Sequence, residues 1–112
     1  MAPSRGEVWQ VDLDPVRGRE QGGRRSALVV SSDDLNQGPS GLVVLLPFTT
    51  VDKRLAFHLA VDPPEGGLRR RSFLKPEDIR SVSTGRMGRR LGTVSAATME
   101  IVAERLSTLL EL

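Results

Sequence analysis

The chain has 112 residues, no cysteine, one histidine and a net charge of +2. That length allows one domain with a real core and little room for a second lobe, and the absence of Cys removes disulfides, thiolate metal sites and a cysteine nucleophile. The 38% hydrophobic and 27% charged fractions are those of an ordinary folded protein, no apolar run reaches the roughly 18–20 residues that span a bilayer, and residues 1–6 lack the apolar stretch of a secretory leader.

The expectation is therefore a single cytoplasmic domain over residues 1–112, away from membranes and without a cofactor. In chain order, residues 6–13 alternate imperfectly around Val8, Trp9 and Val11 and read as a strand. Residues 15–23 are polar, hold three glycines and have no period, which makes them a long loop. Residues 27–30 form a short apolar strand. Ser32-Asp33-Asp34 reads as a cap and first turn of a short helix that Gly38-Pro39 ends. Residues 42–48 are an unbroken apolar run, the pattern of a strand buried on both faces. Residues 56–61 alternate around His58 and run into the turn cluster Asp62-Pro63-Pro64-Glu65-Gly66-Gly67. Residues 72–74 and 79–82 are further short strands. From Ala96 the period changes: Met99, Val102, Ala103, Leu106, Leu109 and Leu110 form one apolar helical stripe, with Ser95 as its cap. Five or more short strands and one terminal helix imply a mainly β fold, a compact barrel or curled sheet with helices packed on it.

The near-neutral total conceals an uneven distribution. Residues 69–90 hold eight basic side chains against two acidic ones, and residues 15–30 hold four against one. Two basic segments suit a polyanion. Fourteen of the sixteen basic residues are Arg, whose planar fork suits bidentate phosphate contact. A solvated basic face, or Arg bias from genome composition, accounts for the same charge.

The available chemistry is narrow. Metal hydrolysis needs clustered His and carboxylates, and the single His58 sits in an alternating strand with no G-x-S-x-G elbow elsewhere. No phosphate-binding glycine motif occurs. Arg, Glu and Thr on loops remain, among them the glycine-rich loop from Gly18 to Arg25 and the pair Thr49-Thr50 directly after the buried run. Such a set suits transesterification of RNA, in which the substrate supplies its own 2′-OH nucleophile. The protein then aligns the reacting atoms and neutralises phosphoryl charge. A surface loop and a β-branched strand end are the plainer readings of the same residues.

Five blocks, in order over nearly the whole chain, resemble the MazF/PemK/Kid ribonuclease toxins of bacterial toxin–antitoxin modules. The first is Arg5-Gly6-Glu7-Val8-Trp9-Gln10-Val11-Asp12-Leu13-Asp14-Pro15. The second is Gly18-Arg19-Glu20-Gln21-Gly22-Gly23-Arg24-Arg25-Ser26, followed by the strand Ala27-Leu28-Val29-Val30. The third is Leu46-Pro47-Phe48-Thr49-Thr50, the fourth Glu77-Asp78-Ile79-Arg80-Ser81, and the last Gly92-Thr93-Val94-Ser95.

The resemblance implies an SH3-like curled β-barrel of the CcdB/MazF kind with short helices and a C-terminal α-helix, working as a homodimer. It implies a metal-independent, sequence-specific endoribonuclease that cuts single-stranded RNA or mRNA to a 2′,3′-cyclic phosphate and a 5′-OH. It places the catalytic roles at Arg25 and Thr49, with Glu20 orienting Arg25 or assisting the 2′-OH. A guanidinium keeps its proton at neutral pH, so charge stabilisation is the role physics favours for the arginine. RNA contacts fall to Arg19, Gln21, Arg24, Thr50, Lys53, Asp78, Arg80 and Arg86, and the partner is an acidic MazE-like antitoxin. Arg19, Ser26 and Asp78 stand where the family carries Ser, Pro and Gln. Two alternatives share the fold: a CcdB-like gyrase inhibitor, and a non-catalytic nucleic-acid-binding SH3-like module.

Overall fold

A computed structural model describes residues 2–14, 18 and 23–112. Seven strands form one antiparallel sheet: β1 (Glu7–Asp12), β2 (Arg24–Val29), β3 (Leu42–Thr49), β4 (Leu59–Val61), β5 (Ser72–Leu74), β6 (Arg80–Ser83) and β7 (Met87–Thr93). Their order is β4-β5-β3-β2-β1-β7, with β6 also on β3. Among the described residues β4 and β7 do not pair, so the sheet is curled and open rather than a closed barrel. Among the described residues two α-helices, α1 (Asp33–Asn36) and α2 (Ala96–Leu110), and three single 3-10 turns at Glu65–Gly67, Pro76–Asp78 and Thr84–Arg86 complete the fold.

The apolar run of β3 is explained by burial on both faces. Leu46 and Phe48 join Val8, Leu28 and Leu74 in a core that Val102 of α2 closes. Val43 and Leu45 point the other way, to Val11, Leu13, Ala27 and Val82. Val8 and Val11 are thus both buried although they are three residues apart, because strand alternation sends them to opposite cores. β3 pairs β2 over Leu45–Pro47, β6 over Leu42–Leu45 and β5 at Phe48 and Thr49.

Both expected helix caps are present. Ser32 accepts the Leu35 N–H at 3.4 Å, and Ser95 Oγ accepts the Thr98 N–H at 3.1 Å. Glu65 adds a second brace to α2 by accepting the Ser95 N–H at 3.0 Å. The expected stripe on α2 is only partly used. Val102 is buried and Met99 and Leu106 pack beside it, whereas Ala103, Leu109 and Leu110 are exposed.

Three strand boundaries differ from the sequence reading. β2 begins at Arg24, so both arginines lie on a strand rather than in the loop. β4 covers only Leu59–Val61, because the His58 N–H turns back onto the Leu55 carbonyl at 3.0 Å. β7 has no counterpart in the sequence reading. It runs Met-Gly-Arg-Arg-Leu-Gly-Thr with Gly88, Arg89 and Arg90 exposed in a row. Its register against β1 shifts twice, from Val8↔Gly92 to Trp9↔Arg90 and then Val11↔Met87. Such bulges remove the two-residue period that a strand otherwise shows.

Candidate active site

The sheet register brings the second and third sequence blocks together. β2 and β3 pair antiparallel through Ala27↔Pro47. Two residues further along each strand lie Arg25 and Thr49, which therefore face the same side of the sheet. Past this point β3 turns to β5, where Thr49 pairs with Phe73. The strands part around a cavity of about 130 Å³ lined by Arg24, Arg25, Ser26, Phe48, Thr49, Thr50 and Ser72. Thr49 Oγ1 accepts the Val51 N–H at 3.2 Å. That bond fixes the hydroxyl oxygen and leaves the O–H itself to donate to another group.

The arginines are exposed at the rim and Thr49 is half-buried beside them. Guanidinium and hydroxyl donors on one concavity are suited to the non-bridging oxygens of a phosphodiester. The neck of the 15–22 segment is tied. The Leu13 N–H donates to the Gly23 carbonyl at 2.9 Å, and the Gly23 N–H donates to Asp14 Oδ1 at 2.9 Å. Arg24 and Arg25 are thereby held at the start of β2 opposite Asp12 and Val11.

The other expected site residues are dispersed. Thr50 lines the same cavity and Lys53 is exposed on the segment that follows. Arg86 braces the loop neck, donating to the carbonyls of Asp12 and Asp14. Asp78 lies 3.5 Å from Lys75 Nζ, an ion pair in which the lysine is buried. Arg80 of β6 pairs with Leu45 of β3 and has Nη1 buried without a hydrogen-bond partner among the described residues. Arg19, Glu20 and Gln21 lie outside the described residues. Ser26 and Ser72, absent from the sequence reading as lining residues, form a wall between this cavity and a neighbouring depression. Their one sequence signal is a serine at the head of an apolar strand. Among the described residues no group of three His, Asp or Glu is placed to hold a metal ion. No helix there is long and apolar enough to cross a membrane.

Residues 4–110 match the family described as PemK-like, MazF-like toxins of type II toxin–antitoxin systems. The chain belongs to that family. It is 38% identical to the endoribonuclease MazF9 of Mycobacterium tuberculosis, with 96% of each chain covered. Its fold is similar to the crystal structure of MazF from Deinococcus radiodurans, with a TM-score of 0.88 and 27% identity over 100% of this chain and 99% of that one. It is also similar to a mycobacterial endoribonuclease solved in complex with its cognate antitoxin, with a TM-score of 0.79 and 28% identity over 99% and 95% of the two chains. The curled sheet and terminal helix are thus the MazF fold. The cavity at Arg25 and Thr49 is where the family's second and third sequence blocks meet.

Proposed function

We infer that this toxin is a metal-independent endoribonuclease acting on single-stranded RNA. The observation that carries the reading is the shared cavity of Arg25 and Thr49, and the endoribonuclease relative supports it. The RNA's 2′-oxygen attacks the adjacent phosphorus as its proton leaves. The bond from phosphorus to the 5′-oxygen breaks, and that oxygen takes a proton. The products are a 2′,3′-cyclic phosphate and a 5′-OH. Negative charge grows on the non-bridging oxygens, where the Arg25 fork and the Thr49 hydroxyl donate. Glu20 is the carboxylate assigned to orient Arg25 or to assist the 2′-OH.

The remaining contacts follow the same logic. Arg24 and Thr50 flank the scissile phosphate from the same cavity. Arg19, Gln21, Lys53, Asp78, Arg80 and Arg86 are the further RNA-binding positions. The chain acts in the cytoplasm as one domain over residues 1–112, pairs with a second copy, and is neutralised by an acidic MazE-like antitoxin. A gyrase inhibitor and a passive nucleic-acid-binding module have no use for an Arg–Thr pair on one phosphate-sized cavity. The test is a long single-stranded RNA incubated with the protein in EDTA, with end mapping. Cyclic-phosphate ends at a recurring short sequence support the reading. RNA left intact in EDTA by folded protein overturns it.

A further inference from the structure

Several of the arginines described are already engaged. Arg71 pairs with Asp62 at 2.8 Å and Arg90 with Glu7 at 2.9 Å. Arg5, Arg86 and Arg105 donate to backbone carbonyls. Among the described residues no carboxylate or carbonyl takes the guanidinium groups of Arg69, Arg70 and Arg89, and all three are exposed, as Arg24 and Arg54 also are.

These three come from two distant segments and line one depression of about 330 Å³, within the size range of small-ligand sites. Among the described residues no acidic side chain lines it. Its wall is Ser26 and Ser72, which also line the Arg25–Thr49 cavity. Gln10, paired with Ser26 across β1 and β2, adds an amide. The Gly67 backbone fixes the two basic segments together, since a Cβ there would lie 1.9 Å from the Leu91 carbonyl oxygen. A preformed concavity with three guanidinium groups free of protein carboxylates, sharing a wall with the scissile-phosphate cavity, suits the adjoining phosphate of the same strand.

We propose that Arg69, Arg70 and Arg89 form a second phosphate subsite, which grips the single-stranded RNA one nucleotide away from the scissile linkage. The proposal rests on the ribonuclease reading and names how that site holds its substrate. The subsite binds and does not react: it holds the strand equally in the ground state and the transition state, so it adds affinity rather than rate. Arg71, in the same segment but paired with Asp62, is outside it.

The experiment uses the full chain and a random-sequence 20-mer of 2′-O-methyl RNA, which lacks the attacking hydroxyl and stays uncut. Binding is followed by fluorescence anisotropy across a salt series. Replacing Arg69, Arg70 and Arg89 together by Ala is expected to weaken binding at least about tenfold at low salt. The log–log salt slope should fall by about 0.7 for each phosphate no longer neutralised. Arg71→Ala should leave both quantities nearly unchanged, and the triple Lys variant should recover most of the slope. Cleavage of unmodified RNA by the triple Ala variant should show a raised KM with kcat nearly unaltered. Equal losses from Arg71→Ala and Arg69→Ala would overturn the subsite, since charge alone would then suffice. So would a triple Ala variant that binds RNA normally but loses an Asp/Glu-rich peptide, which would assign the depression to a protein partner. Unmodified RNA left uncut by wild-type protein overturns the ribonuclease reading instead, while the anisotropy series still decides the subsite.

Discussion

Arg25 and Thr49 stand at equal distances beyond the Ala27–Pro47 pair, on neighbouring antiparallel strands. They are twenty-four positions apart in sequence, yet the register alone puts a cationic fork and a hydroxyl on one side of the sheet. Each sits on a strand end rather than in a free loop, which limits the reach of both groups to a defined geometry.

Thr49→Val keeps the branched shape that pairs with Phe73 and removes only the hydroxyl. The expected loss in kcat on single-stranded RNA is about 10²–10³-fold, whereas Thr49→Ser stays within roughly tenfold of wild type. Arg25→Lys keeps the charge but loses the planar fork, and its kcat falls by a comparable factor. All three cavity variants should unfold within a few degrees of wild type, because Arg25 is exposed and Thr49 makes one local bond through its hydroxyl oxygen. Single-turnover cleavage together with thermal unfolding checks both parts.

Glu65 ties the turn before β5 to the start of α2. Hydrogen bonds from the Thr98 hydroxyl, then from the Ser95 backbone, hold its carboxyl below its ordinary 4.5, against the opposing pull of burial. A lowered folded value means that the ionised form stabilises the fold. That contribution is complete above about pH 4.5 and is lost as pH falls through the lower folded value. Glu65→Gln should therefore lower the melting temperature at pH 7, and the gap to wild type should narrow as the pH falls below 4.5. Ser95→Ala removes the cap on the same helix end and should cost about 1 kcal/mol at either pH. Thermal melts of the three proteins from about pH 3 to 7 test the sign.

What the sequence displays depends on whether a signal is local. β3 is legible because two cores bury both of its faces, and α2 because Ser95 and the change of period mark its start. β7 carries its apolar residues out of period around two bulges, so its pairing to β1 leaves no local trace. Arg25 and Thr49 are legible as residues through the family blocks, but their shared cavity depends on long-range register. Asp78, a proposed RNA contact, also pairs with Lys75 at 3.5 Å. Its neighbour Lys75 is nearly sealed from solvent and holds the carboxylate, a consequence of burial that the sequence does not display. His58 reads as an ordinary strand residue, since its partner Glu77 lies nineteen positions away, beyond any local pattern.

That His58–Glu77 pair yields a prediction of its own. Nε2 lies 2.8 and 3.0 Å from the two carboxylate oxygens, and the side chain is only 3% exposed. Phe57 meets the ring edge-on at 5.3 Å, and Arg105 of α2 donates to the carbonyls of Ala56 and His58. The histidine thus joins the segment after β3 to the turn that precedes β6, with α2 clamped across it. His58→Ala opens a cavity and strands a carboxylate, an expected loss of about 2–4 kcal/mol. Glu77→Gln should cost about 1–2 kcal/mol. A double-mutant cycle by urea unfolding should give a coupling of about 1–3 kcal/mol. Strictly additive losses would mean that the two side chains contribute independently.

Gly67 and Gly41 provide a contrast between crowding and backbone strain. Both have positive φ, +69° and +70°, a region in which a Cβ is disfavoured by about 1 kcal/mol. Nothing lies within 4 Å of a Cβ built on Gly41, whereas one on Gly67 would sit 1.9 Å from the Leu91 carbonyl oxygen and 3.2 Å from the Gly92 nitrogen. The obstacle is backbone of β7, which cannot swing aside as a side chain does. Gly41→Ala should therefore cost about 1 kcal/mol, and Gly67→Ala about 3–5 kcal/mol. For a domain of this length those losses correspond to melting temperatures lower by roughly 3–6 °C and 10–20 °C. Because Gly67 also sets the approach of the Arg69–Arg70 segment to β7, Gly67→Ala protein assayed at a temperature where it remains folded should bind RNA more weakly than Gly41→Ala protein. Equal melting temperatures for the two variants would show that β7 gives way locally and that the close approach is not a constraint on the fold.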